Sequence, residues 1–290
     1  MNKEKLFCLI FSHYQRFNLK QSIFVLNCFK GNNYKDNTSF NKYNLSSSFQ
    51  ENIKQFKIFK NKFNLKKILE VLKLYNIKFC TIFEKEYPFL LKQINNPPII
   101  IYYKGNLPTN NNCLAVIGSR ANSKYGYRVC KYLLKEINNI YIVSGLARGI
   151  DSIAHKEALK NNLKTIAILG SSLVNSEIYP IENKNLFENI IENGGAVISE
   201  YPPHQRISRF NFVARNRIIS GLSKAVLIIE GKKKSGTLIT AKFALEQNRD
   251  VLAVPGNIFD QNSYTPNYLI SEGAIVVKSS KDINNIFYNT

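Results

Sequence analysis

The rhythm of apolar and polar positions changes along the chain. From residue 114 onward, short runs that are apolar throughout recur at 114–117, 140–143, 165–169, 196–199, 225–229, 251–254 and 274–277. Between them lie longer amphipathic stretches, notably 127–137, 151–161, 184–193 and 238–247, whose spacing predicts helices. Strands without polar alternation are buried on both faces, and the intervals are too long for hairpins. The pattern predicts an α/β fold, a doubly wound, mostly parallel, extended Rossmann-like sheet. Ahead of it, 6–29 and 53–75 have helical spacing, and Phe56, Phe59, Phe63, Ile68, Leu69 and Leu72 could share one face. The polar, Asn- and Ser-rich stretch 32–50 predicts a linker, and Pro88, Pro97 and Pro98 punctuate a connector. The expected organisation is a small, basic, mainly helical region over 1–78 and a Rossmann-like domain over 79–290.

Charge sharpens this picture. The chain has 290 residues and a formal net charge of +20, from 40 Lys+Arg against 20 Asp+Glu. Residues 1–75 hold 14 Lys+Arg against 4 Asp+Glu, so the first quarter carries half of the excess. Such a charge points to a polyanion, and richness in Lys, Asn, Ile and Tyr adds a compositional source for part of it. With 44% hydrophobic and 21% charged residues the chain is globular rather than disordered. Its five cysteines show no C-x-x-C pair, which fits a reduced, cytoplasmic setting and predicts no metal site. The apolar run 6–11 is too short for a signal segment, and no stretch is long enough to span a bilayer.

In a doubly wound sheet the ligand sits beyond the carboxyl ends of the strands. The first predicted strand ends in Gly118-Ser119-Arg120 and the second in Ser144-Gly145, continuing to Asp151. The fourth is followed by Glu200, Arg206, Arg209, Phe210, Phe212, Arg215, Asn216 and Arg217, and the fifth by Glu230, Lys232, Lys233, Lys234, Ser235, Gly236 and Thr237. Glycine lets a backbone approach an anion, helix-start N–H groups point at it, and arginine offers a planar fork to phosphate. Neither G-x-G-x-x-G nor G-x-x-x-x-G-K-[ST] occurs, so neither a dinucleotide fingerprint nor an ATPase loop is present and no cofactor is expected.

These residues fall in a familiar series. Phe83-Glu84-Lys85-Glu86-Tyr87-Pro88, Asn96-Pro97-Pro98, Gly118-Ser119-Arg120, Ser144 to Asp151, Ala154-His155, Tyr179-Pro180, Ser199-Glu200, Ala214 to Ile219, Ser235 to Ala241 and Val254-Pro255-Gly256 follow one another in order. Over about 80–280 the series closely resembles the bacterial DNA-processing protein A family (DprA, also called Smf). Two turns depart from it: 170–175 is longer, and Tyr264-Thr265-Pro266-Asn267 stands in place of a Gly-Thr-Asn turn. The end at Thr290 leaves no room for the winged-helix tail of some relatives. The resemblance implies a protein that binds single-stranded DNA, forms a homodimer, protects incoming strands and loads the recombinase RecA during natural transformation.

The nucleic-acid-binding set expected on these grounds is Gly118, Ser119, Arg120, Ser144, Gly145, Arg209, Phe212, Asn216, Arg217, Ser235, Gly236 and Thr237. The resemblance places a basic residue at Arg209 and a base-stacking aromatic at Phe212. Stacking tolerates any sequence because every base has a π-face. Arg215 and Arg217 lie too close on a helix to face the same way, and Arg215 is expected to turn inward to Glu200 or Glu230. Ser235, Gly236 and Thr237 are expected to cap the following helix. Asp151 and His155 could be drawn with Ser144 as a hydrolase triad, but no G-x-S-x-G elbow supports it. The competing enzyme reading is a Rossmann-type nucleotide hydrolase with a P-G-G-x-G-T-x-x-E motif. Thr240 stands where its glutamate would be and cannot do that proton work. A membrane-surface role ranks last, since the basic helices carry a globular pattern.

Overall fold

The computed structural model describes residues 1–30 and 45–288. Nine strands form one sheet: β1 (Lys78–Thr81), β2 (Ile100–Gly105), β3 (Cys113–Ile117), β4 (Tyr141–Ser144), β5 (Thr165–Leu169), β6 (Ala196–Ser199), β7 (Ala225–Ile228), β8 (Asp250–Ala253) and β9 (Ile275–Val276). Their order is β1-β2-β6-β5-β4-β3-β7-β8-β9. The seven strands from β3 to β9 are parallel and match the seven apolar runs, while β1 and β2 add an antiparallel edge. That pair lies in the stretch expected to be a connector. Its signal was the run Ile99-Ile100-Ile101-Tyr102-Tyr103, which the neighbouring prolines masked.

The helices are α1 (Lys3–Tyr14), α2 (Leu19–Lys30), α3 (Ser47–Lys62), α4 (Leu65–Leu74), α5 (Phe89–Lys92), α6 (Lys124–Leu134), α7 (Ile150–Lys160), α8 (Lys184–Glu192), α9 (Arg209–Ala214), α10 (Asn216–Gly221), α11 (Gly236–Glu246), α12 (Tyr264–Ser271) and α13 (Ser280–Tyr288). Successive side chains of a strand face opposite sides. Ala115 and Ile117 of β3 accordingly pack with Ile218, Ile219, Ala241 and Ala244 of α10 and α11 on one face. Leu114 and Val116 pack with Cys130, Leu133, Leu134 and Ala154 of α6 and α7 on the other.

Each long N-terminal helix predicted from spacing is broken in two. Gln15 adopts a left-handed conformation (φ 55°) and ends α1. Asn64 starts α4 by accepting the Lys67 N–H on its Oδ1 at 3.0 Å. The expected shared face loses Leu69, which points outward, while Phe56 and Leu72 are buried. Of the predicted linker, 32–44 lies outside the described residues, and 47–50 belongs to α3, capped by the Ser46 hydroxyl.

These helices hold an aromatic cluster in which Phe11 and Phe56 stack at 4.8 Å. They also cover the sheet. Cys8, Leu9 and Leu72 join Ile100, Tyr102, Val197 and Phe187 in one cluster, and the Ser12 hydroxyl lies 2.6 Å from that of Tyr102. Deleting residues 1–78 uncovers this patch but removes no buried residue from the other two core clusters. The expected product folds as an independent α/β domain, melts below the full chain and self-associates through the bared surface of β2. Thermal melting with size-exclusion chromatography checks this. A truncation without a cooperative transition would mean that the helices are needed for the domain to fold.

Candidate nucleic-acid interface

The strand order reverses between β3 and β7, whose following helices α6 and α11 cover opposite faces. A crevice therefore opens above their carboxyl ends. On one side, Gly118-Ser119-Arg120 forms a turn held from behind. The Ile150 N–H donates to the Ser119 carbonyl at 3.1 Å, and the Ser119 hydroxyl accepts the Ala121 N–H at 3.2 Å. Arg120 is exposed. On the other side, Gly231 is pinned by its N–H to the Asn262 carbonyl at 2.6 Å and by its carbonyl to the Thr265 N–H at 2.8 Å. The exposed Lys232, Lys233 and Lys234 follow, then Ser235 and the exposed Gly236. Asn216 bridges toward this wall, with Nδ2 3.5 Å from the Gly236 carbonyl.

The expected capping by Ser235, Gly236 and Thr237 is not formed as drawn. Ser235 occupies the N-cap position of α11, but its hydroxyl lies 3.3 Å from that of Thr265 instead of capping. Thr237 is buried. Glu230 is also buried and committed elsewhere. Its carboxylate accepts the N–H of Ser123 at 3.0 Å and the Ser123 hydroxyl, fixing the start of α6.

The end of β4 corrects two further expectations. Ser144 is buried and donates its hydroxyl to the Val116 carbonyl at 2.7 Å. Gly145 donates its N–H to Asp151 Oδ2 at 3.1 Å, and Ala147 donates to the same oxygen at 3.4 Å. The anion cradle here is filled by the protein's own carboxylate, so Ser144 and Gly145 do not face a ligand. Arg215 closes over it. A β-carbon on Gly145 would stand 1.8 Å from Arg215 Nη1, so only glycine fits. Arg215 Nη1 also donates to the Ile168 carbonyl at 2.6 Å. Burial raises the Asp151 carboxyl above its usual range, with Arg215 pulling it back, and burial lowers Arg215 to about 10.

The two arginines thus differ from expectation. Arg215 turns inward, but to Asp151 rather than Glu200 or Glu230. Arg217, expected to reach DNA, is buried as well. Its Nη2 donates to Glu200 Oε1 at 2.6 Å and its Nε to the Asn96 carbonyl at 3.0 Å. Both lie where α9 meets α10. A hydrolase triad is not assembled either. His155 Nδ1 is 2.7 Å from the Thr165 hydroxyl, which itself donates to the Ile142 carbonyl at 2.7 Å. The imidazole therefore carries its proton on Nδ1, and burial holds its pKa down to about 3.

Beyond β5 and β6, α9 presents Arg209 and Phe210 outward, Phe210 being 81% exposed. Phe212 is half-buried. Its ring lies over Gly170, where a β-carbon would meet Cδ1 at 2.8 Å, and Tyr179 meets it edge-on at 5.5 Å. Sequence reasoning met Phe210 after the fourth strand and Tyr179 in the family series but assigned neither to the binding set. Their signal was an aromatic interleaved with Arg206, Arg209 and the strand ends. Of the expected set, the structure brings Gly118, Ser119, Arg120, Arg209, Phe212, Asn216, Ser235 and Gly236 to one edge of the sheet. It places Ser144, Gly145, Arg217 and Thr237 inside. Exposed cations beside open aromatic faces are chemically suited to a polyanion bearing planar groups. Among the described residues, no group of three or more His, Cys, Asp or Glu could hold a metal ion, and no helix is long and apolar enough to cross a membrane.

Fold and rim together define a Rossmann-like α/β protein with a cationic, aromatic strand-end edge. The sequence profile of DNA recombination-mediator protein A matches residues 78–288, and the chain belongs to that family. It is 45% identical over 199 residues to DNA processing protein DprA of Streptococcus pneumoniae, covering 68% of this chain and 70% of that protein. The X-ray structure of DNA processing protein A from Streptococcus pneumoniae superposes with a TM-score of 0.81 at 33% identity, covering 98% of this chain and 97% of the other. DNA processing protein A from Helicobacter pylori, a protein with a unique single-stranded DNA binding mode, gives a TM-score of 0.63 at 27% identity over 74% of this chain and 98% of that one.

Proposed function

We propose that this chain is a non-enzymatic single-stranded DNA-binding protein of the cytoplasm that acts as a homodimer, protects incoming strands and loads RecA recombinase during natural transformation. The observation that carries the DNA reading is Arg120, exposed on a turn braced from behind at the point where the strand order reverses. Three exposed lysines line the opposite wall, and Phe210 and Phe212 offer stacking faces along the same edge. The single-stranded DNA binding of the Helicobacter pylori relative supports the same assignment. The nucleotide-hydrolase alternative finds no support at Thr240, a buried hydroxyl that donates to the Gly236 carbonyl at 3.2 Å.

A titration against single-stranded and duplex oligonucleotides over a range of salt tests the proposal. The expected result is preference for single strands, with affinity falling as salt rises because bound phosphates release counterions. Preference for duplex, or sustained hydrolysis of nucleotide or DNA, overturns it. The recombinase step is read separately, as faster RecA assembly on single strands in the presence of the protein.

A further inference from the structure

Half of the chain's excess positive charge lies in residues 1–75, and no part of the rim described above uses it. The N-terminal helices meet the rim at the β2–β6 end of the sheet, opposite β9, through the loop that runs from β6 to α9. Gln205 of that loop and Gln15 at the end of α1 join their side-chain amides reciprocally. Gln205 Nε2 donates to Gln15 Oε1 at 2.9 Å, and Gln15 Nε2 donates back to Gln205 Oε1. Beside it, His204 turns the loop with a left-handed backbone (φ 63°). Its Nδ1 lies 3.0 Å from Glu177 Oε1, and its ring meets that of Tyr75, just past α4, edge-on at 6.3 Å. The loop is thus fixed to the N-terminal helices at two points. Arg206 and Arg209 follow these contacts along the loop, and Arg16 and Lys20 follow Gln15 on the helical side. All four are exposed, and among the described residues no ion pair involves any of them. Arg16 is braced by donating to Gln55 Oε1 and lies over the Tyr14 ring at 5.9 Å.

From this we infer that a long single strand leaves the rim past Arg209 and Arg206 and crosses onto the N-terminal helices, where Arg16 and Lys20 neutralise its phosphates. The inference rests on the single-strand reading above. The track differs from the rim in its chemistry. At the rim, cations stand beside open aromatic faces. On the helices the ring nearest Arg16, that of Tyr14, is half-buried, so this surface holds phosphates without stacking bases. A guanidinium bound to one amide oxygen keeps further N–H donors for a phosphate. Exposed cations of one sign favour a polyanion over a protein partner, and continuity with Arg209 makes that polyanion the strand the rim already holds. Such contacts act through counterion release, so their share of the affinity grows as salt falls.

The test titrates a short oligothymidine of about six nucleotides, within the range of one compact binding site, and a long one over a range of salt. The variants are Arg16→Glu/Lys20→Glu and the charge-conserving Arg16→Lys/Lys20→Arg, both checked for an unchanged melt. Lys20→Glu alone serves where loss of the Arg16 bond to Gln55 lowers the melt. For the long strand at low salt the glutamate pair is expected to raise Kd about tenfold, and the effect shrinks as salt rises. Its log–log salt slope flattens by about 1.4, the sum for two phosphates on a single strand, and that of Lys20→Glu by half as much. The charge-conserving pair binds like the parent, and the short strand, which ends within the rim, is bound alike by all. A glutamate pair that binds the long strand like the parent at every salt concentration, that weakens both lengths equally, or that weakens the long strand with an unchanged salt slope overturns the track. Arg120→Glu separates the two readings. If it binds both lengths undiminished, the strand-end reading itself falls. If it weakens both while the glutamate pair leaves the long strand unaffected, only the track over the N-terminal helices falls.

Discussion

Replacing Arg120 with glutamate is expected to weaken single-strand binding by roughly 10- to 100-fold, the range for removing a charge-assisted hydrogen bond and introducing a repulsion. The melting temperature should not drop, because the side chain is exposed. A small rise is expected instead. The Arg120 charge acts unfavourably on the buried Arg215, and its removal relieves that repulsion. Each phosphate that the protein no longer neutralises on a single strand also flattens the log–log dependence of affinity on salt by about 0.7. Arg209→Glu should act in the same direction, since Arg209 is exposed beside Phe210 on α9. The two measurements together discriminate between causes. A variant that binds weakly with an unchanged salt slope is altered in shape and still neutralises the same phosphates. Variants of both arginines that match the parent at every salt concentration would move the site away from this edge.

The fold was legible because the five central parallel strands, β3 to β7, are buried on both faces and so appear as unbroken apolar runs. Leu114 to Ile117 is such a run, and each of its residues is buried. The antiparallel edge was not legible. β1 holds only Lys78–Thr81, half of it accessible, and β2 begins two residues after Pro98. At the site, spacing located the strand ends but not the direction of the side chains. Gly145 and Gly118 follow strands in the same way, yet Gly145 lies beneath the Arg215 guanidinium and Gly118 belongs to the accessible turn. What separates them is Asp151, a residue six positions downstream whose carboxylate folds back onto the Gly145 N–H. Likewise Arg215 and Arg217 could not be distinguished by composition. Both sit where two short helices, α9 and α10, join, and neither helix has the length to produce a readable period. Their partners, Asp151 and Glu200, come from separate places, the first turn of α7 and the end of β6.

The buried pair of Arg215 and Asp151 leads to the largest expected effect on stability. Arg215→Met leaves a carboxylate enclosed beside Gly145 and Ala147 without its counter-charge. Breaking one side of such a pair costs about 3–5 kcal/mol. Asp151→Asn/Arg215→Met removes both charges and is expected to be more stable than Arg215→Met alone. The pH dependence has a definite sign. Burial raises the Asp151 carboxyl in the folded chain, so above the ordinary carboxylate value the native state binds more proton than the unfolded chain. Stability from this group therefore falls as pH rises through that window. Without Arg215 the carboxyl rises further and the window extends upward. His155 works from the other side. Burial first, and the Arg215 charge second, hold it down from 6.5 to about 3, so stability is lost as pH falls from 6.5 toward 3. Removing Arg215 holds the imidazole down less and reduces that loss. Both changes make the deficit of Arg215→Met largest at neutral pH and smaller on acidification. Denaturant melts of the parent and the variant between neutral pH and about pH 4, the ordinary aspartate range, measure it directly. A deficit that stays constant or grows toward low pH would mean that Arg215 stabilises the fold through its bond to the Ile168 carbonyl and its packing rather than through its charge.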